Sequence, residues 1–199
     1  MQSKHATFVA GLVIGLIVLS GVSAVATGFR FGPLPFSSGI SGSGSDSGSE
    51  NEIRDVKLAV VDLFQNNMEL SNLTQAEQQS IGLEPDNDLG ITLRNGLRGI
   101  WVQSVADKNF ADIVMLYKKE NGQGPEFTWD HVQLEVTKWQ GVEVNDNIAS
   151  AQFVSRYVFT RDGHSAPDLE TQWKVELARQ SSSGGWLLIS RKGADLENR

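Results

Sequence analysis

Between Trp129 and Lys192 apolar and polar residues alternate with period two in four successive stretches. In the first, Val132, Leu134 and Val136 alternate with Gln133, Glu135 and Thr137. In the second, Ala149, Ala151, Phe153, Tyr157 and Phe159 share one parity. The third sets Leu169, Thr171, Trp173, Val175 and Leu177 against Glu170, Gln172, Lys174 and Glu176, and the fourth, Trp186 to Ser190, is nearly all apolar. Such alternation predicts strands with one face on a core and the other in water. Turn residues fall at each junction: Gly141 with Asn145-Asp146-Asn147, then Asp162-Gly163 and Pro167, then Ser181 to Gly185. Short connections of this kind predict an antiparallel four-stranded meander. Its apolar face needs a cover of helices.

The helices precede it. Ile53, Val56, Val60, Leu63 and Phe64 form a stripe over 53–70, with Asn51 as the expected N-cap. Thr74-Gln75-Ala76-Glu77 has the spacing of a capping box opening a short helix that ends near Gly82. Leu93, Leu97, Ile100, Trp101 and Val105 predict a third helix, which Asp107-Lys108-Asn109 is expected to break; Phe110, Ile113, Val114 and Tyr117 continue as a fourth. The fold class is therefore α+β, helices packed on a curved four-stranded antiparallel sheet.

Further towards the N-terminus the pattern changes. After a tail of residues 1–5, the stretch Ala6 to Phe29 has no charged residue and is long enough for a helix to cross a bilayer, about 20 residues. We read 6–29 as a signal-anchor; a cleaved signal peptide ending at Ala26, which would leave a secreted domain, is the alternative. Residues 30–50, rich in Gly and Ser, read as a flexible linker with a reach of roughly 20 Å. Residues 51–199 form the remaining domain, placed outside the cytoplasm in a single-pass membrane protein.

Composition narrows the chemistry. The 199 residues include no cysteine, which removes thiolate metal sites, disulfides and a cysteine nucleophile. The formal net charge is −7; residues 1–29 carry only Lys4, so the remainder is at −8. That balance argues against a nucleic-acid surface. His5, His131 and His164 are scattered and compose no metal site. Alternation places His131, Glu135, Glu170 and Glu176 on the wet face, out of reach of a buried substrate. No catalytic, metal or cofactor-binding residue is assigned, and no cofactor is expected. Tyr117, Phe153, Tyr157 and Trp173 are the candidate lining of an apolar pocket. Trp129 and Trp139 lie on the parity opposite the core, either as an exposed partner surface or packed under the linker or against helix 53–70.

The run from Leu93 through Gly193 resembles the nuclear transport factor 2-like superfamily, a cone-shaped α+β fold. The matching features are the helix followed by Asp107-Lys108-Asn109-Phe110-Ala111, then the long strands, and the closing hairpin. In that hairpin Trp173-Lys174-Val175-Glu176-Leu177 is followed by Gly184-Gly185-Trp186-Leu187-Leu188-Ile189. With one membrane helix ahead of one such domain, the chain resembles assembly subunits of type IV secretion and conjugation machines and Mce-associated membrane proteins. That resemblance implies a non-enzymatic scaffold bound to other envelope proteins or to itself. The superfamily also includes ketosteroid isomerases and polyketide cyclases, so a cone that binds a small hydrophobic ligand, or an isomerase or cyclase, is the alternative.

Overall fold

Helix α1, Glu50–Glu69, carries Val56, Val60, Leu63, Phe64, Asn67 and Met68 on one buried stripe. The computed structural model describes residue 46 and residues 48–120, 128–181 and 184–195. The stretches read as tail, signal-anchor and most of the linker lie outside these residues. Among the described residues no helix is long and apolar enough to cross a membrane. The N-cap of α1 is Ser49, not Asn51: its side chain accepts from Glu52 N–H, and the Glu52 carboxylate accepts from the Ser49 backbone in return. Before it, Asp46 Oδ1 accepts from Val142 N–H at 2.9 Å while Oδ2 meets Lys57 Nζ at 3.0 Å. The last residues of the Gly/Ser stretch thus belong to the fold, because a carboxylate and a capping hydroxyl give them something to bind.

Helix α2, Gln75–Leu83, opens on the Thr74–Glu77 capping box that its sequence predicts. Helix α3, Asp88–Ile100, is capped by Asn87 and buries Leu93, Leu97 and Ile100. Helix α4, Gln103–Glu120, runs unbroken through Asp107-Lys108-Asn109. The expected break is absent because these polar residues form ion pairs on the helix surface: Asp107 with Arg98 at 2.8 Å, and Lys108 with Asp112 at 2.6 Å. The chain breaks earlier, at Trp101, whose backbone is extended and bridges Leu188, with Val102 N–H donating to Leu188 O at 3.0 Å. That contact also covers part of a sheet edge that would otherwise present open hydrogen-bonding groups.

The sheet has five strands rather than four. They are β1 His131–Asn145, β2 Ile148–Arg161, β3 His164–Pro167, β4 Thr171–Arg179 and β5 Trp186–Asp195. The order is β1-β2-β4-β5, all antiparallel, with β3 paired to the end of β2 through Val158–Arg161. The extra strand arises from Asp162-Gly163, both at positive φ, the geometry of a two-residue hairpin turn. Leu169 falls between β3 and β4. Helix α1 lies along β1 and reaches β2 and β5, α3 touches β5, and α2 and α4 pack against α3 and each other.

Register shifts interrupt the alternation. On β1, Val136 pairs with Ser155, Lys138 with Val154 and Trp139 with Phe153, then Gly141 with Gln152. Each shift inserts one residue and flips the parity of those beyond it. Val136, Trp139 and Val142, three apart, therefore share the inner face. On β5, Leu188 pairs with Leu177 but Ser190 with Glu176, so Ile189 is the inserted residue. Beyond it Arg191, opposite Val175, and Gly193, opposite Trp173, point inward. Bulges also bend a strand, and here they curve the sheet around α1.

Candidate functional site

Helix α1 lies against the concave side of the sheet. Phe64 points into the hollow and meets Phe153 and Trp173 edge-on, with ring centroids 5.3 Å and 5.1 Å apart. Both contacts are of the favourable T-shaped kind. Phe64 and Phe153 are completely buried, Trp173 and Tyr157 nearly so. Tyr157 O–H donates to Phe64 O at 3.4 Å. Three of the four predicted lining residues, Phe153, Tyr157 and Trp173, are thus gathered around Phe64. Tyr117 is half-buried on α4, packed against the core away from that ring cluster.

The tyrosines are poor acids here. Burial, with Glu120 adding to it, pushes Tyr117 up to about 12. Burial raises Tyr157 further, with Asp168 adding to the rise and Arg191 opposing it. A phenolate is costly in such a place because the low-dielectric surroundings disfavour the charged form. Among the described residues the inward positions of β1, β2 and β4 carry no aspartate, glutamate or histidine, and no group of acidic or histidine side chains is arranged to hold a metal ion. The carboxylates placed on the wet face are used there: Glu135 accepts from Arg156 at 2.9 Å and Glu176 from Ser190 at 3.0 Å.

Arg191 escaped the sequence reading. Its guanidinium carbon lies 5.4 Å from the ring centre of Trp101, 5.8 Å from Phe64 and 5.9 Å from Trp173. These distances suit cation–π contact. Burial lowers its pKa from the ordinary arginine value, with Tyr157 pulling the other way. Gly193, two residues on, is what lets the Trp173 indole lie flat against β5: a Cβ there would stand 2.6 Å from the ring. No pattern in the residues around Ile189 marks a bulge, and strict alternation from Leu188 would send Arg191 to water.

Trp101 Nε1–H donates to Asn67 Oδ1 at 3.2 Å. Asn67 Nδ2 and Trp173 Nε1, both on buried side chains, have no hydrogen-bond partner.

The two tryptophans expected on the opposite parity are placed inside. Trp129 precedes β1, so strand parity does not apply to it. It is 7% exposed and packs edge-on against Phe159 at 5.1 Å. Asn72 fixes it there, donating to Trp129 O at 3.0 Å and accepting from Trp129 N–H at 3.1 Å. Trp139 is half-buried, turned inward by the bulge at Thr137, 5.1 Å from Phe153 and capped by Lys57 of α1 at 5.6 Å. Packing against helix 53–70, the alternative held open for it, is where Trp139 lies. The exposed large apolar side chains are instead helical: Leu58, Leu83, Leu89, Ile91 and Met115.

No family profile matches the sequence, and no curated protein sequence does either. Solved structures do match. A nuclear transport factor 2-like protein with a cystatin-like fold from Novosphingobium aromaticivorans is 18% identical over 45% of this chain and 55% of that one, at a TM-score of 0.31. A nuclear transport factor 2-like superfamily protein from Salmonella enterica is 17% identical over 43% of this chain and 58% of that one, at 0.29. An IcmL-like type IV secretion system protein from Legionella pneumophila is 6% identical over 77% of this chain and 97% of that one, at 0.43. The likeness is one of fold. The chain spans just over half the length of the first two, and nothing about activity or partners transfers at these identities and scores.

Proposed function

We propose that the chain is a non-enzymatic interaction module, held at a membrane by residues 6–29 with its domain outside the cytoplasm, that works within a cell-envelope assembly. The observation that carries this reading is the filled hollow: Phe64 of α1 occupies the space beside Phe153 and Trp173 that a substrate would need. A base must come within hydrogen-bond reach of a substrate proton. The inward positions of β1, β2 and β4 supply only apolar, hydroxyl and indole groups, with both tyrosine hydroxyls held protonated at neutral pH. For a partner, the helical side is the better surface. Leu83 and Met115 are each more than three-fifths exposed there, whereas the outer sheet face is laced with polar pairs such as Glu135–Arg156 and Gln140–Gln172. Exposed apolar side chains in a polar setting suit an interface.

Fractionation of cells expressing the full chain, followed by site-specific photocrosslinking, tests both halves. The full chain should sediment with membranes and resist carbonate extraction, and a variant lacking 6–29 should not. Crosslinkers at Leu83 and Met115 should capture a discrete partner, and crosslinkers at Gln133 and Gln152 should not. A full chain found in the soluble fraction, or capture from the sheet face alone, overturns the reading.

A second reading, a binding site for a small ligand with an apolar body, is favoured by one observation: the donors left open on Trp173 and Asn67 inside the hollow.

A further inference from the structure

Leu83 and Met115, the two most exposed large apolar side chains of the described residues, have charges of opposite sign as neighbours. Gly82 lies against the backbone of Tyr117 and Lys118, where a Cβ would stand 2.9 Å away, so the end of α2 is seated on the last turns of α4. Leu83 and Glu84 follow directly. Asn87 then ties the start of α3 back to α2, donating to Ser80 O at 3.2 Å and to Ser80 Oγ at 2.9 Å, which keeps Asp88 at the same corner. On α4, Met115 stands one turn before Lys118 and Lys119 and shares their face. Residues 83–88 and 115–119 therefore adjoin as one surface, acidic at the α2–α3 corner and basic at the end of α4, with an exposed apolar side chain in each part. Its charges are uncommitted: Asp86 pairs with Arg94 and Lys108 with Asp112, whereas among the described residues Glu84, Asp88, Lys118 and Lys119 form no ion pair. Glu84 is also misplaced for stability. It caps the C-terminal end of α2, where the helix dipole disfavours an anion, and the last turn holds no basic residue.

We infer that this surface binds a second copy of the same chain across a twofold axis. Such an axis brings each part of the patch to its complement in the other copy, and the reverse contact is made at the same time. A patch with opposite charges at its two ends matches itself in that arrangement: the acidic corner of each copy meets the basic end of α4 in the other, and Leu83 and Met115 are covered between them. Docking corner to corner would set like charges together. The pairing matters the more because each chain carries a net charge of −7, so two copies repel unless opposite charges are brought into contact. The inference rests on the interaction reading and deepens it by naming the partner. Copies held in one membrane meet at a raised effective concentration, which lets a small interface suffice.

The test co-expresses two differently tagged full chains with a photocrosslinker at position 83. Irradiation should give an adduct carrying both tags. Glu84→Lys with Asp88→Lys makes the patch wholly basic and should cut that adduct at least fivefold; Lys118→Glu with Lys119→Glu makes it wholly acidic and should do the same. Co-expressing one of these variants with the other restores opposite charges across the axis and should return the adduct to at least half its original yield. Should the Asp88 substitution at the start of α3 impair folding, Glu84→Lys alone against Lys118→Glu alone keeps the swap decisive. A mixed-tag adduct that is indifferent to charge reversal, or one that both variants lose and their mixture does not recover, overturns the inference. An adduct with a different protein and none between the tags overturns self-association and leaves the interaction reading standing. No adduct of any kind from position 83 overturns both.

Discussion

Replacing Trp129 by alanine is the most direct measure of whether these aromatics belong to the core. The indole is almost fully buried and stacked edge-on upon Phe159, while Asn72 clamps its backbone. Deleting a buried Trp or Phe ring costs about 3–5 kcal/mol. One term works against the wild type: Trp129 Nε1 is buried without a partner, a standing cost of about 1–3 kcal/mol that truncation removes. Taken at their midpoints, the two leave an expected net loss of about 2 kcal/mol, a sizeable part of a typical stability of roughly 5–15 kcal/mol. Trp129→Phe keeps most of the ring contact and discards the orphan donor, so it should cost under about 1 kcal/mol or stabilise slightly. Trp139→Ala, at a half-buried site under Lys57, should lie between these, at about 1–2 kcal/mol. Urea unfolding followed by circular dichroism, with an unchanged m-value as the check on two-state behaviour, reads all three. Surface tryptophans would give changes within about 0.5 kcal/mol. That result for Trp129→Ala would refute the packing argument, and equal losses for Trp129→Ala and Trp129→Phe would refute the account of its indole N–H.

Other outcomes follow from single contacts. Asp46→Ala removes a charged hydrogen bond to Val142 N–H and a half-exposed ion pair with Lys57, and should cost about 1–2 kcal/mol, with faster amide exchange at Val142 as the local readout. The two tyrosines should show no phenolate absorbance at pH 10–11 in the folded chain. Their folded pKa values are raised, so the stability they contribute is complete below the ordinary value of 10 and is lost as pH rises through about 12, the value for Tyr117; a spectrophotometric titration with a normal tyrosine step near 10 would contradict the burial of both. Glu77 is held below its ordinary 4.5 by its hydrogen bonds to Thr74. Its contribution to α2 is therefore present above pH 4.5 and lost as pH falls through the lowered value, so Glu77→Gln should titrate less steeply on the acid side in helix content. Gly193→Val forces a Cβ into the Trp173 ring and should shift that indole's resonance even where the fold survives.

Local chemistry made much of this fold legible. The Thr74–Glu77 capping box, the Asp162-Gly163 turn and the apolar stripe of α1 each act over a few residues, and each appears where its sequence puts it. The helix-before-sheet order and the antiparallel pairing follow from short connections and a one-sided sheet. What failed was parity over distance. Alternation identifies the inner face only until a residue is inserted, and nothing in Thr137, Gln140 or Ile189 announces an insertion. Ser49 hides its capping role by closing a Gly/Ser run, and Asp107-Lys108-Asn109 has the polarity of a break, yet charged residues suit a helix surface that offers Arg98 and Asp112 as partners.

The same insertions that defeat alternation explain why the hollow has the character it has. Without the bulge at Thr137, Trp139 would face water and Phe153 would lose its neighbour. Without the one at Ile189, Arg191 would turn to solvent, and Gly193 would no longer make room for Trp173. One residue of slip thus sets a cation among three aromatic rings. Burying a guanidinium is costly unless the surroundings return the lost hydration, and the three ring faces supply part of that return. A fold needing nothing but a plugged core would be served as well by an apolar residue opposite Val175. That position is therefore worth testing by substitution. If Arg191→Met raises stability and leaves partner capture unchanged, the charge has no task in the interaction reading; if it lowers stability, the contacts around the guanidinium repay the cost of its burial.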